Sequence, residues 1–290
     1  MTFEPPHQIV HQFYQKDGIW LPRNNSDYGS PKQKQLWDKI GQNYYNRRQF
    51  ETATPPDYAE VIRRPSGLWN KFPAHQHFST ILEIGCGDGR ASIHLSKNRN
   101  LSCEVYYGID ISEPQLRRLQ IFKQAYNFYP SARFVLVCMS VRQLPLADNS
   151  VDLVISDSVF MHLAKKDTET LFSEIARTLK PHGVIGLRNS FHNRDCIGHI
   201  IHNLIRQLAP NRNAIYLQQY SLSEIKTLFE NSGLTNKIGS IKVKSDGQYV
   251  LIPRHIGKQK VPLARCINDY LKRSGIRSHC LIYSFDAYNW

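Results

Sequence analysis

Ile81-Leu-Glu-Ile-Gly-Cys-Gly-Asp-Gly-Arg90 decides the fold of this 290-residue chain. Ile81, Leu82 and Ile84 read as the end of a strand buried on both faces, the mark of a parallel sheet. Gly85, Gly87 and Gly89 follow at alternate positions, and Ala91-Ser-Ile-His-Leu-Ser96 begins a helix. Glycine suits such a turn because the chain must bend sharply and let a ligand approach the backbone. The spacing is Gly-x-Gly-x-Gly after an acid, Glu83. A dinucleotide-binding turn places its third glycine one position later.

Outward from this loop, strands and helices alternate. Cys103–Asp110 is predicted as the second strand, ending in an acid 21 residues beyond Gly89. A carboxylate there can accept two hydrogen bonds from a ribose diol, an arrangement that dinucleotide enzymes share. Ser112 is a candidate N-cap for the next helix, with Pro114 in its first turn. Arg133–Cys138 is the third strand. Leu144-Pro-Leu-Ala-Asp-Asn-Ser-Val-Asp-Leu-Val-Ile-Ser156 is a loop whose acid, Asp152, enters the fourth. Thr168–Leu179 is a helix with Leu171, Phe172, Ile175, Ala176 and Leu179 on one face. Lys180-Pro-His-Gly183 ends it, and Val184–Arg188 is strand five. Such alternation builds a parallel sheet with helices on both faces.

The glycine loop, the acid at Asp110, the Leu-Pro loop leading to Asp152 and the Lys-Pro-His-Gly segment resemble the class I S-adenosylmethionine (SAM)-dependent methyltransferases. The ubiquinone-biosynthesis-type and natural-product small-molecule enzymes are the most similar subset. The resemblance covers residues 78–190 firmly and 35–50 and 221–290 loosely. It implies a Rossmann-like seven-stranded, mostly parallel sheet, SAM as cofactor with S-adenosyl-L-homocysteine as product, and no metal. Carried over residue by residue, it puts Glu83, Gly85, Cys86 and Gly87 under the amino-acid end of the cofactor. Asp110 and Ile111 take the ribose side, Ser140 and Val141 the adenine side, and Ser156 the end of strand four. Tyr45, or its neighbour Tyr44, closes over the cofactor. Many relatives carry an acid where Ser140 stands, and a serine hydroxyl accepts the adenine amino group more weakly.

For chemistry, His162 is the candidate base because it follows strand four on the cofactor side, where many relatives carry a packing or helix-capping histidine. Arg188 and Asn189, at the end of strand five, would orient a polar or anionic acceptor. Ser156-Asp-Ser-Val159 stands where nucleic-acid amino-methylating enzymes place Asn/Asp-Pro-Pro-Tyr. The first expectation is therefore methylation of an oxygen or nitrogen, a carboxylate included, on a small metabolite. An RNA methyltransferase is the alternative, and a SAM-binding partner protein without chemistry the third.

The flanks divide as residues 1–70, a helical N-terminal extension expected to act as a lid, and 71–290, the core. Ile9–Tyr14 is predicted as a short helix, and Gln35–Asn46 as a longer one with Leu36, Trp37 and Ile40 on one face. Residues 191–220, with a helix over Cys196–Leu208, form a lid insertion. Ser221–Asn231 is a helix opened by a capping box of Ser221 and Glu224. Lys237–Lys244 is strand six, Asp246-Gly247 a turn into Tyr249–Ile252, and His279–Ala287 the last strand.

The net charge is +13 with 41% hydrophobic residues, which favours an anionic partner or substrate. No apolar run approaches the roughly 18 residues of a membrane span. Met1–Pro6 lacks the basic start and apolar stretch of a signal peptide. Six scattered cysteines, none in a Cys-x-x-Cys pair, fit a reduced cytoplasmic protein without structural zinc.

Overall fold

The computed structural model describes residues 12–24, 31–47, 67–70, 72–193, 218–238, 242–246, 255–256, 259–260 and 279–284. The expected helix over Cys196–Leu208 and the strand Tyr249–Ile252 lie outside them. No described helix is long and apolar enough to cross a membrane.

Seven strands form the centre of the sheet. They are β3 (His77–Ile84), β4 (Ser102–Asp110), β5 (Arg133–Cys138), β6 (Val151–Asp157), β7 (Leu179–Asn193), β8 (Lys242–Asp246) and β9 (His279–Tyr283). Their order is β5-β4-β3-β6-β7-β9-β8. The first five run parallel, and β9 is antiparallel to both its neighbours. The Rossmann-like expectation holds. β7 is longer than the expected Val184–Arg188, because it starts directly after the preceding helix and His182 absorbs the bend at φ 63°.

Helices cover both faces. β3 sends Leu82 and Ile84 to one face, where they meet Leu171, Phe172 and Ile175 of α5 (Lys165–Thr178) and Ile225 and Phe229 of α6 (Leu222–Asn231). It sends Ile81 to the other, against Ile93 of α3 (Arg90–Asn98) and Leu116, Leu119 and Phe122 of α4 (Glu113–Tyr126). The capping box on α6 forms, with the Ser221 and Glu224 side chains each accepting a backbone N–H. Ser112 caps α4 by backbone geometry, while its hydroxyl donates to the Trp37 carbonyl at 3.3 Å.

One expectation fails. Phe13 and Tyr14 do not end a helix but belong to β1 (Phe13–Lys16), which pairs with β2 (Ile19–Pro22) in a hairpin. Its turn is Asp17-Gly18, at φ 51° and 78°, the dipeptide and backbone signs that a two-residue hairpin demands. β2 then adds in parallel to the edge strand β5. Phe13, Ile19 and Leu21 are buried, each worth roughly 1.5–3 kcal/mol. The hairpin therefore belongs to the sheet and is not a removable cover, and it protects the edge of β5 that seven strands would leave open.

The remaining N-terminal elements are helices. α1 (Pro31–Arg47) packs on α4, and α2 (Gly67–Asn70) brings Trp69, 1% exposed, under the sheet's carboxyl edge.

Candidate functional site

The chain leaves β3 to build β4 and β5 on one side, then crosses to β6 on the other. Ligand crevices open at such a reversal, beyond the carboxyl ends of the strands. A pocket lies there. Gly85, Gly87, Asp110, Ile111, Ser140 and Val141, six of the candidate cofactor residues, line it. Asp157, Ser158, Val159, His162 and Leu163 line it from the far side of β3, Met139 joins from after β5, and α1 and α4 supply Gln33, Trp37 and Gln115. A wider groove between the hairpin, α1 and α4 contains none of the loops that follow the core strands.

Two glycines fix the loop for different reasons. Gly85 has φ +64°, and a methyl group on it would come within 2.1 Å of Val159 Cγ2. Gly87 has φ +52°, and a methyl group there meets nothing within 4 Å among the described residues. Gly85 is needed by the protein itself, while the space before Gly87 is left for a ligand. The Gly87 N–H donates to Asp110 Oδ2 and the Ser112 N–H to Oδ1, both at 2.8 Å. A carboxylate has about four lone-pair sites, so two remain for a ribose diol.

Burial pushes the Asp110 carboxyl up to about 6, against the lowering effect of those two N–H donors. The group that accepts ribose hydroxyls is the ionised one. It is ionised above about pH 6 and protonated below. Calorimetric affinity for S-adenosylhomocysteine should thus be level above pH 7 and weaken as pH falls through about 6. An affinity unchanged down to pH 5 would remove Asp110 from the contact.

Three expected cofactor residues do not reach the pocket. Glu83, 2% exposed, accepts hydrogen bonds from Ser92 and from Tyr106 at 2.6 Å. Burial raises its carboxyl to about 8, so it is neutral at pH 7 and ties α3 and β4 to β3. Between its ordinary value and about 8 the folded chain holds a proton that the unfolded chain releases. Stability therefore falls as pH rises through that window. Glu83→Gln should flatten that dependence, while Glu83→Ala should cost roughly 1–3 kcal/mol by stranding two hydroxyls. Denaturant titrations at pH 6 and pH 8.5 check both. Cys86, 4% exposed, is buried in the second core beside β4, and burial raises its thiol well above the ordinary value. The Ser156 hydroxyl turns inward to donate to the Ile84 carbonyl at 3.0 Å. All three side chains support the loop from within.

The catalytic candidates divide. His162 closes a 3-10 turn, Phe160–His162, and its ring lines the pocket against Trp37 with centroids 5.0 Å apart at 70°. Gln33 donates to its carbonyl. Arg188 does not face the pocket: its Nη1 lies 2.5 Å from Asp157 Oδ2. The Trp69 indole N–H reaches the same oxygen at 3.3 Å, and the Ser158 hydroxyl donates to Oδ1 at 2.9 Å. Asn189 follows Arg188 in β7, and Tyr44 and Tyr45 lie in the last turn of α1, but their side chains are not among those described. The sequence reading missed Asp157, although it stands at a strand end in this crevice. Gln33 and Gln115 carry no signal in the pattern. Trp37 reads as an ordinary core-facing residue of its helix. Among the described residues no cluster of His, Cys, Asp or Glu could hold a metal ion.

Residues 82–187 match the family described as a methyltransferase domain. The chain is 24% identical over 190 residues to a carboxy-S-adenosyl-L-methionine synthase of Pasteurella multocida (strain Pm70), covering 65% of this chain and 75% of that one. It is 28% identical over 123 residues to a tRNA N(3)-cytidine methyltransferase of Bos taurus, covering 41% and 32%. To a malonyl-[acyl-carrier protein] O-methyltransferase of Methylovorus sp. (strain MP688) it is 32% identical over 106 residues, covering 36% and 34%. The chain thus spans about a third of the length of the latter two relatives. Open space before Gly87, a strand-end carboxylate with lone pairs to spare and an apolar flank at Ile111 and Val141 fit an adenosyl cofactor. Residues 82–187 thus carry a methyltransferase domain, and the pocket and the relatives together support a class I SAM-dependent methyltransferase with S-adenosyl-L-methionine as its cofactor.

Proposed function

We propose that the methyl acceptor is an oxygen or nitrogen of a small molecule that arrives bearing an O–H or N–H, with His162 as the base. The observation behind this reading is Asp157. It lines the pocket across β3 from Asp110, and Arg188, Trp69 and Ser158 fix both its oxygens. A fixed carboxylate accepts a hydrogen bond from a hydroxyl or amine and repels another carboxylate. The +13 net charge argues for an anionic acceptor, but among the described residues no Lys or Arg lines the pocket, and the Arg188 guanidinium is turned onto Asp157.

Bound cofactor supplies a methyl group on a positively charged sulfur, and its transfer needs the acceptor held in line at near-attack distance. In this reading Asp157 orients the acceptor and Arg188 keeps Asp157 in place. His162 removes the proton. Helix α1 serves as a lid, a role supported by Gln33 and Trp37 reaching the pocket; the expected lid insertion over residues 191–220 lies almost wholly outside the described residues. Closure excludes water from the transfer.

A radiolabelled-methyl assay over matched phenols, amines and carboxylates tests this. Phenols or amines should be methylated at least about 10-fold faster than carboxylates, and Asp157→Asn should raise KM for the accepted class, consistent with one lost charged hydrogen bond. Methylation of carboxylates alone would overturn the reading. The basic charge and the tRNA-methylating relative support a second reading, RNA as acceptor. RNA retention that falls steeply with salt, together with label incorporated into RNA, would favour it.

A further inference from the structure

Gln115 stands five residues past Asp110, in the first turns of α4. It lines the cofactor pocket with Asp110, Ser140 and Val141, yet its carbonyl oxygen Oε1 is sealed from solvent and has no hydrogen-bond partner among the described residues. Buried carbonyls are nearly always satisfied in folded proteins, and at the wall of a ligand pocket a bound molecule can bring the donor. The side chain is also confined. A methyl group on Gly41 of α1 would lie 3.3 Å from Gln115 Cγ and 3.1 Å from Pro114 Cβ. The close pass of α1 at that glycine leaves the amide little room to turn away from the pocket.

Ligand chemistry along the wall follows from the groups present. Asp110 offers only acceptors and suits a ribose diol. The base then lies towards Met139–Val141, where the resembling enzymes carry an acid and this chain has Ser140. We infer that the Gln115 side-chain amide hydrogen-bonds the 6-amino edge of the cofactor's adenine, the contact that Ser140 supplies only weakly. A carboxamide can accept from the 6-amino group through its oxygen and donate to an adjacent ring nitrogen through its NH2. This inference rests on SAM occupying this pocket.

Calorimetry with S-adenosylhomocysteine and with its analogue lacking the 6-amino group is the test. The unaltered chain should bind S-adenosylhomocysteine roughly 5–150-fold more tightly than the analogue, the range expected when a buried carbonyl loses its donor. Gln115→Leu should lower affinity for S-adenosylhomocysteine by a similar factor and bind the two ligands alike. Equal binding of both ligands by the unaltered chain, or a preference that survives in Gln115→Leu, overturns the inference. If Gln115→Leu fails to fold, Gln115→Met replaces it, and the comparison on the unaltered chain stands by itself. Failure of the unaltered chain to bind S-adenosylhomocysteine would instead overturn the cofactor site as a whole.

Discussion

Gly87→Val is expected to bind S-adenosylhomocysteine about 100-fold or more weakly, because a side chain there fills the space through which the cofactor nears the backbone. The position is open on the protein side, since a methyl group added there meets nothing within 4 Å among the described residues. The cost to stability should therefore be only the roughly 1–2 kcal/mol of a left-handed non-glycine residue. Gly85→Ala makes the contrast. Its methyl group would meet Val159 Cγ2 at 2.1 Å, so the loop or the 3-10 turn must shift and the melting temperature should drop together with affinity. Asp110→Ala should weaken binding roughly 10–150-fold, corresponding to about 1.5–3 kcal/mol for charged hydrogen bonds. Calorimetry beside thermal melts separates the three. Gly87→Val and Asp110→Ala both retaining full affinity would remove the cofactor from this crevice.

The second large effect concerns turnover. General-base assistance is typically worth 10²–10⁴ in rate, so His162→Ala should lower kcat at least about 100-fold on the accepted substrate, with S-adenosylhomocysteine affinity nearly unchanged. The neighbouring ring complicates this, since His162 packs edge-on against Trp37 and its loss could loosen α1. Trp37→Phe retains an aromatic contact and supplies the control. A base role predicts near-normal kcat in Trp37→Phe and a loss in His162→Ala that shrinks as pH rises and the acceptor ionises by itself. A drop below about fivefold in His162→Ala would mean that positioning alone performs the transfer.

Much of this was legible in the chain because its causes are local. Gly85 and Gly87 announce a turn with positive φ, Asp110 ends a strand of apolar residues, and the spacing of Leu171, Phe172 and Ile175 follows from the helical repeat. Each of these signals lies within a dozen residues of its effect. The same locality misled at Glu83, Cys86 and Ser156: a position in the motif says which loop a residue belongs to, not which way its side chain turns. Glu83 and Ser156 turn inward from β3 and β6, which are covered on both faces, and Cys86 packs into the core beside β4.

The tertiary structure alone decided the rest. Asp17-Gly18 turns a hairpin that the reading of Ile9–Tyr14 as a helix passed over, and β1 and β2 are held in place by joining β5, more than a hundred residues away. Asp157 acquires its partners from Trp69 and Arg188, 88 and 31 residues distant. Gln33 and Trp37 become pocket residues only because α1 packs across α4 and over the turn that carries His162. Side-chain periodicity reports the environment of one segment at a time, and none of these contacts has a periodicity. The cofactor loop could be read from the chain because its backbone conformation is dictated residue by residue; the acceptor side could not, because it is assembled from segments that meet only in the fold.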